Sequence, residues 1–210
     1  MKSTFLTEAG GFFAQTQSLY RGTIAGGSNG FFFYTRFGLS SSMADYANAT
    51  VFVGLSSANI ACAQMTQTGS ASFDYCGFTW VSSSANNAAG IGTNLRFATG
   101  SNWWFVTAHA GLATYHPTPI KVTGSENYEF YIYAPPFPST SSVFWRIKAE
   151  ISGAFLESGS ATGTLVALPN PAVAMSPWLA IGQYSSSVAP VSGRVSGSIF
   201  FNRMYIESDR

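Results

Sequence analysis

The residue types best suited to recognising a ligand are concentrated in one short segment of the chain. They are Asn102, Trp104, His109, Tyr115 and His116. The flat face of a tryptophan packs against the C–H groups of a sugar ring. Histidine can exchange hydrogen bonds with sugar hydroxyls or respond to pH near neutrality. We therefore treat these five residues as candidate ligand-binding residues. Ordinary packing of the tryptophan, and histidines without a specific role, are the alternatives.

The elements that carry these residues follow from the local sequence. Trp103 and Trp104 are adjacent in a strand-like run, and successive side chains of a strand point to opposite sides. One tryptophan is therefore expected in the core, and the other on the outside or at an interface. His109, Tyr115 and His116 follow in a glycine-containing stretch that leads to two prolines. We interpret this stretch as a loop at the end of a sandwich, where binding residues are common.

The acidic residues do not form an evident catalytic pair. A glycosidase needs two carboxylates roughly 5–10 Å apart across a cleft, and the chain has nine acidic residues. Glu126 and Glu129 are three residues apart, so on a strand they project to opposite faces. A catalytic pair formed by carboxylates of adjacent strands, such as Glu129 with Glu150, is the remaining alternative. No phosphate-binding loop or His-Glu-x-x-His motif is present. We expect no catalytic residues.

Cysteine and histidine spacing gives no metal signature. Cys62 and Cys76 are the only cysteines, and they flank a turn-like Gly-Ser pair. A disulfide across a hairpin is one interpretation, but without an export signal two buried thiols are favoured. A metal site would need His109 and His116, which lie in another segment without ligand spacing. We expect neither a metal nor a cofactor.

Composition narrows the class of protein. Only 9% of the residues are charged, 16% are aromatic and the formal net charge is +1, so nothing indicates binding to nucleic acid. No apolar run approaches the ~18 residues of a membrane-spanning helix, and the N-terminal residues lack the apolar core of a secretory signal. We expect a protein folded in a cytoplasm, without membrane insertion, whose surface suits neutral sugars or other subunits.

Strand signals dominate the chain. Runs rich in aromatic and β-branched residues are bounded by clusters of Gly, Pro, Ser or Asn. The predicted strands are Phe31–Gly38, Thr50–Leu55, Phe73–Val81, Gly90–Phe97, Asn102–Ala108, Tyr128–Ala134, Ser142–Ile151 and Val195–Glu207, with weaker candidates at Leu19–Ile24, Ile60–Thr66, Ile120–Thr123 and Trp178–Gln183. Because no useful helical periodicity intervenes, the spacing predicts an all-β sandwich or barrel in a single domain.

Alternation along these strands predicts which side chains are buried. In Ser142–Ile151 one apolar face is formed by Val143, Trp145, Ile147, Ala149 and Ile151. Phe31–Gly38 carries apolar residues on both faces, and in Val195–Glu207 the residues Ile199, Phe201 and Tyr205 oppose Phe200, Met204 and Ile206. Such strands are covered on both sides or belong to a subunit interface, and a covering loop explains them equally well. Trp80 and Trp145 are expected in the core.

The order and spacing of several segments resemble a domain of tailed-bacteriophage virion proteins. The segments are FFFYTRFGL (Phe31–Leu39), VFVGLSS (Val51–Ser57), GFTW (Gly77–Trp80), GIGTNLRFATGSNWWFVTAHAG (Gly90–Gly111), NYEFYIYAPP (Asn127–Pro136), VFWRIK (Val143–Lys148) and FFNRMYIESD (Phe200–Asp209). The resemblance implies an antiparallel β-sandwich of the jelly-roll, concanavalin-like type over residues 30–210. Residues 1–30 form an N-terminal segment that could dock onto a neighbouring subunit.

The resemblance also implies a function and partners. The family occurs in tail-fibre tips and decoration proteins, usually as trimers, and attaches to host surfaces or stabilises the virion. It implies for this chain a homo-oligomer, most simply a trimer, that contacts other virion proteins and a host-surface glycan. The location implied is the virion, assembled in the host cytoplasm. The chain departs from the family pattern at Leu95–Phe97 and at its doubled tryptophan, so no ligand residue is carried over. A purely structural decoration or collar subunit and a carbohydrate-active enzyme are the alternative functions.

Overall fold

The computed structural model describes residues 8–12, 30–42, 49–58, 73–81, 102–109, 112–135, 142–152, 156–162, 168–169, 173–183 and 199–208. These residues form eleven strands and no helix. The strands are β1 (Glu8–Phe12), β2 (Phe31–Leu39), β3 (Ala49–Ser56), β4 (Tyr75–Val81), β5 (Asn102–His109), β6 (Leu112–Lys121), β7 (Asn127–Ala134), β8 (Ser142–Ala149), β9 (Leu156–Thr162), β10 (Ser176–Gln183) and β11 (Ile199–Ser208).

The strands form two antiparallel sheets. The first sheet has six strands in the order β1-β10-β3-β4-β5-β6, and the second has five in the order β11-β2-β7-β8-β9. All neighbours within a sheet pair in the antiparallel direction. The predicted all-β antiparallel sandwich is therefore confirmed. None of the described residues belongs to a helix that is long and apolar enough to cross a membrane.

A core of aromatic side chains lies between the two sheets. The ring of Phe130 on β7 lies 4.0 Å, centroid to centroid, from Phe78 on β4, and 5.0 Å from Trp103 on β5. Trp145 on β8 meets Phe78 edge to face at 5.9 Å. Trp80, Trp103 and Trp145 are all buried. The core positions predicted for Trp80 and Trp145 are confirmed, and Trp103 is the core member of the tryptophan pair.

Most of the stronger strand predictions are confirmed, but β6 requires a correction. The sequence predicts a loop before Ile120–Thr123, whereas the structure has one continuous strand, Leu112–Lys121. Pro117 and Pro119 suggested the loop because proline lacks the amide hydrogen that a sheet uses. At the edge of a sheet this loss is tolerated, and β6 is an edge strand. The predicted strands that lie outside the described residues are Gly90–Phe97, Leu19–Ile24 and Ile60–Thr66.

Two strands carry little signal in the sequence. The β9 strand reads LESGSAT, without aromatic or valine and isoleucine residues, and pairs with β8 at the edge of its sheet. The β1 strand reads EAGGF and pairs with β10. The six-stranded sheet thus includes residues from the segment before residue 30. Docking of that segment onto a neighbour stays a prediction.

A β-bulge in β11 overturns part of the predicted face pattern. Its pairing with β2 shifts between Phe201 and Arg203, which leaves Asn202 as the extra residue. A bulge reverses the alternation of the residues that follow it. The residues that pack against the core are therefore Ile199, Phe201, Met204 and Ile206, and the exposed apolar residues are Phe200 and Tyr205. The prediction that Tyr205 shares a face with Ile199 and Phe201 is wrong.

The end of β8 is set by a buried carboxylate. The predicted alternation holds through Ala149 but is wrong at Ile151, which is 65% exposed. There the chain turns, and the amides of Ile151 and Ser152 donate hydrogen bonds to the two carboxylate oxygens of Glu126, at 2.6 and 3.0 Å. Burial alone would raise the pKa of Glu126, but the hydrogen bonds outweigh it and the pKa is lowered. Glu126 thereby joins the start of β7 to the turn after β8.

The close approach of β3 and β4 supplies a stability prediction. Gly54 lies directly opposite Gly77, and a Cβ at Gly54 would overlap the carbonyl oxygen of Cys76 and lie 2.5 Å from the Cα of Gly77. Because these are backbone atoms of a paired strand, we expect Gly54→Ala to lower the free energy of unfolding by about 1–3 kcal/mol. Urea denaturation measures this loss. Gly38→Ala is the matched control, since its closest clash is with the rotatable side chain of Asn127, and equal losses in both variants would contradict the account.

Candidate functional site

Two surfaces of the sandwich carry side chains suited to ligand binding. The first, which we call the β5–β6 face, is the outer side of the six-stranded sheet around Trp104 and Tyr115. The second, the aromatic face, is the outer side of the five-stranded sheet. Its aromatic members are Phe32 and Tyr34 on β2, Tyr131 and Tyr133 on β7, Phe144 on β8, and Phe200 and Tyr205 on β11.

The β5–β6 face contains two of the five candidate residues. Trp104 lies opposite Pro117, and Tyr115 lies opposite Val106, two residues along β5 from the tryptophan. Trp104 and Tyr115 are half-buried. The hydroxyl of Tyr115 exchanges a hydrogen bond with that of Tyr75, and burial raises the pKa of Tyr75 to about 12 and also raises the pKa of Tyr115. Both phenols are therefore neutral hydrogen-bonding groups near neutral pH.

The two histidines do not join this pair, and the side chain of Asn102 is bound to the backbone of β6. His109 and His116 alternate with Trp104 and Tyr115 along their strands, so they lie on the opposite side of the sheet. The Nδ1 atom of His109 is 2.8 Å from a carboxylate oxygen of buried Asp74. Burial lowers the pKa of His116, whose ring lies 6.3 Å from that of Phe105. The side chain of Asn102 donates a hydrogen bond to the backbone of β6 at 3.0 Å.

The structure therefore divides the candidate residues rather than gathering them. Trp104 and Tyr115 share a face, whereas both histidines make contacts on the other side of the sheet. The predicted loop is wrong, because all five candidates lie on β5 or β6. Among the described residues, the outer side also contains a buried apolar cluster that offers almost no surface to a ligand; its members are Phe52, Tyr75, Val106, Ala108, Trp178 and Ala180. Ligand binding by the five candidates stays a prediction.

The aromatic face is organised in rows that run across the strands. In each row, residues of β8, β7, β2 and β11 lie directly opposite one another. The first row is Phe144, Tyr133, Phe32 and Glu207; the second is Arg146, Tyr131, Tyr34 and Tyr205; the third is Lys148, Glu129, Arg36 and Arg203. Two mainly aromatic rows thus adjoin one charged row.

Ring contacts connect the first two rows. Tyr34 and Tyr131 lie 4.9 Å apart, centroid to centroid. Phe32 lies 6.3 Å from Tyr131 and 6.1 Å from Tyr205. Tyr133 stacks on its neighbour in the first row at 6.1 Å. These separations are typical of interacting aromatic pairs, so Phe32, Tyr34, Tyr131 and Tyr205 form a continuous platform beside the stacked pair of Tyr133 and Phe144.

Glu129 connects the platform to the charged row. Its carboxylate accepts hydrogen bonds from the hydroxyls of Tyr34 at 3.1 Å and Tyr131 at 2.9 Å, and it lies 3.5 Å from the Lys148 ammonium. Burial would raise the pKa of Glu129, but the hydrogen bonds outweigh it and lower the pKa. For Tyr131, burial and the nearby carboxylate raise the pKa to about 12. The tyrosine hydroxyls therefore stay protonated and keep fixed directions.

Only part of the aromatic face is evident from the sequence. Alternation places Phe32 and Tyr34 opposite Phe31 and Phe33 on β2, a pattern for which covering on both sides, a subunit interface and a covering loop were the alternatives. The alternation in NYEFYIYA placed Tyr131 and Tyr133 on the side away from buried Phe130, and this was the available signal. The rows themselves depend on the pairing of β2 with β7 and β11, which are distant in sequence.

The described residues hold no evident metal site. No three His, Cys, Asp or Glu side chains come together as ligands in the part of the chain that the structure describes. Cys76 is a buried thiol between the sheets, and Cys62 lies outside the described residues. Arg36 forms an ion pair with Glu150, so this carboxylate and Glu129 both have partners within the face.

The fold is shared with solved lectin structures. The chain superposes on lectin I from Ulex europaeus, solved with the methyl glycoside of α-L-fucose, with a TM-score of 0.64 at 10% identity, covering 99% of this chain and 83% of the lectin. For lectin II from the same organism the TM-score is 0.61 at 13% identity, covering 100% and 86%. The chain is a jelly-roll sandwich of the legume-lectin type.

Enzymes with this fold are also similar to the chain. The PL-14 alginate lyase from Aplysia kurodai superposes with a TM-score of 0.52 at 9% identity, covering 89% of this chain and 72% of the lyase. At these identities the likeness shows the fold alone. No protein-family model and no curated protein sequence matches the chain.

The lowered pKa of His116 yields a prediction of pH dependence. The unfolded chain binds a proton at the ordinary histidine pKa of about 6.5, whereas the folded protein resists protonation of this buried ring. The contribution of His116 to stability is therefore present above about pH 6.5 and is lost as the pH falls below it. We expect the free energy of unfolding, measured in urea between about pH 7.5 and 5.5, to fall less steeply in His116→Phe. An unchanged slope in His116→Phe would contradict the assignment.

Proposed function

We propose that the protein is a glycan-binding module whose ligand lies across the aromatic face. The observation that carries this proposal is the alignment of aromatic side chains in two cross-strand rows on an accessible sheet surface. Tyr133 is 44% exposed, Tyr205 is 47% exposed and Phe144 is 40% exposed, so their rings are open to a ligand. Flat rings pack on the C–H groups of sugars, and tyrosine hydroxyls add hydrogen bonds.

The charges of this face favour a ligand with a neutral body. Glu129 is bound by two tyrosine hydroxyls and lies near Lys148, and Arg36 is paired with Glu150. Within these two pairs the opposite charges offset each other, and Arg146 and Arg203 leave the face with only a small positive excess. An anionic ligand would instead favour a cluster of several unpaired cations. The aromatic platform beside these ion pairs therefore supports recognition of uncharged sugar rings.

We propose binding without catalysis. Glu129 and Glu150 are the carboxylate pair that the sequence leaves as a catalytic candidate. Glu129 accepts a hydrogen bond from Tyr131, and Glu150 forms an ion pair with Arg36. A glycosidase would need one of its two carboxyl groups poised as an acid and the other as a base or nucleophile. The similarity in fold to a lectin solved with a bound glycoside supports the same proposal. The similarity in fold to an alginate lyase is the reason for which an enzyme stays an alternative.

We further propose that this binding serves host attachment by a bacteriophage virion. The resemblance to tailed-phage appendage domains supports this setting, and its partners would be further copies of the chain, other virion proteins and a host-surface glycan. Many copies on one particle would strengthen weak individual contacts through multivalency. Purified protein should coat host cells and block phage adsorption. Failure to bind any cell that the phage infects would argue against this role.

Substitution of an exposed ring tests the location of the site. On a glycan array, the protein should bind neutral glycans, and Tyr133→Ala should weaken the affinity about threefold to tenfold because a stacking surface is lost. Trp104→Ala on the β5–β6 face is the matched control and should leave the affinity unchanged. The opposite result would place the glycan on the β5–β6 face. Binding only to sulfated or phosphorylated sugars would contradict the neutral-ligand proposal.

A structural virion subunit is the second candidate function. Phe200, which is 60% exposed, and Phe144 lie on the outer side of the five-stranded sheet and carry no hydrogen-bonding group. Burying such a ring contributes about 1.5–3 kcal/mol. A few per subunit would offset the loss of rotational and translational freedom on association. This observation supports self-association, and the trimer is the state that the resemblance to phage appendage domains implies.

Light scattering at micromolar concentration tests the second candidate. If the outer side of the five-stranded sheet joins subunits, the measured mass should be three times that of the chain. Phe200→Glu should then give a monomer, because an unpaired charge would be buried in the interface. Thr114→Glu, at an exposed position of β6, should keep the oligomer. If the wild-type protein is a monomer, the predicted oligomer is wrong, and the aromatic face is available to a glycan.

A further inference from the structure

The first aromatic row ends in a depression with an unusual combination of side chains. Its volume is about 240 Å³, and it is lined by Gly30, Phe31, Phe32, Tyr133 and Glu207. Tyr133 and Glu207 lie opposite Phe32 on its two sides, on β7 and β11. Three aromatic residues, Phe31, Phe32 and Tyr133, and the acidic residue Glu207 therefore border the same space at one end of the aromatic face.

The carboxylate in this depression has a defined position. The hydroxyl of Tyr205 donates a hydrogen bond to Oε2 of Glu207 at 3.0 Å. The ring of Tyr205 in turn lies 6.1 Å from that of Phe32. The second carboxylate oxygen, Oε1, receives no hydrogen bond from any residue that the structure describes. One negative oxygen is thus available beside the rings.

We propose that this depression binds an alkylammonium group. A cation is attracted to the negative face of an aromatic ring, and rings combined with a carboxylate form the usual surroundings of a bound ammonium. No cationic side chain of the described residues lines the space. The ligand class is therefore a molecule that carries a positively charged amino or trimethylammonium group. An amino sugar, a choline-substituted surface polymer and a phosphocholine lipid share this chemistry.

This assignment does not rest on the proposed glycan function. The aromatic rows beyond the depression would contact the uncharged body of a ligand, whereas the depression would hold a cationic substituent at one end. Small cations can test it without any glycan, and a glycan can test the rows without a cation. The two proposals can therefore fail separately.

The experiment is a nuclear magnetic resonance titration of the full chain with choline. Chemical shifts of residues that line the depression, Gly30 and Phe32 among them, should move with saturation. The probe 3,3-dimethylbutan-1-ol has the shape of choline without the charge, and it should bind far more weakly. Glu207→Gln should weaken choline binding about fivefold, the upper range for an exposed charge pair. Glu150→Gln removes an equal charge near the third row and should leave choline binding unchanged.

Three outcomes would overturn the proposal. They are equal binding of choline and its neutral analogue, an unchanged affinity in Glu207→Gln, and shift changes confined to other parts of the chain. Tyr133→Leu provides a second variant, since it keeps apolar bulk but removes the ring, and it should also weaken choline binding. Parallel titrations with glucosamine and with phosphatidylcholine vesicles then distinguish a sugar source from a lipid source.

Discussion

The structure depends on burial of an aromatic core between two sheets whose side chains alternate with a period of two. Phe130 of one sheet contacts Phe78 and Trp103 of the other, and each buried ring contributes roughly 1.5–3 kcal/mol. Because a slip of one residue would turn these rings out to solvent, the core specifies the register of every strand that reaches it. The outward residues are then positioned as well. The rows of the aromatic face are a consequence of the register that the core imposes.

The same constraint explains the bulge in β11. Without it, the alternation that buries Ile199 and Phe201 would bury Tyr205 and expose Met204. The extra residue, Asn202, reverses the phase, so the core stays filled while Tyr205 joins the outer row opposite Tyr34. Bulges are common at sheet edges, where one strand has no second neighbour to restrain it. The edge strand thus supplies core packing and a ring of the platform together.

These particulars show what could be predicted from the sequence. The alternation in β8 identified Val143, Trp145 and Ile147 as buried, because that strand is regular and only one of its faces is apolar throughout. The bulge in β11 left no local signal, and the prolines of β6 gave a misleading one because their cost depends on whether the strand is central or at an edge. Edge position is a property of the whole sheet.

The candidate site was harder to predict than the fold for the same reason. Trp104, Tyr115 and His116 are close in sequence, but alternation and pairing place the histidine on the other side of the sheet. Phe32 and Tyr133 are about a hundred residues apart, yet the pairing of β2 with β7 makes them direct neighbours. A functional surface on a sheet is assembled across strands. The residue types along one segment therefore say little about which residues share a functional surface.

The two outer sides of the sandwich differ in what they offer to a ligand. On the six-stranded sheet, Phe52, Tyr75 and Trp178 are buried, so their rings cannot contact a ligand unless the structure changes. On the five-stranded sheet the tyrosine hydroxyls are already oriented by Glu129, and several rings are exposed. Recognition by groups that are ordered before binding loses less conformational entropy than recognition by groups that must first be ordered. Exposure and preorganisation coincide on the aromatic face, which is the physical reason for proposing that side of the sandwich as the binding surface.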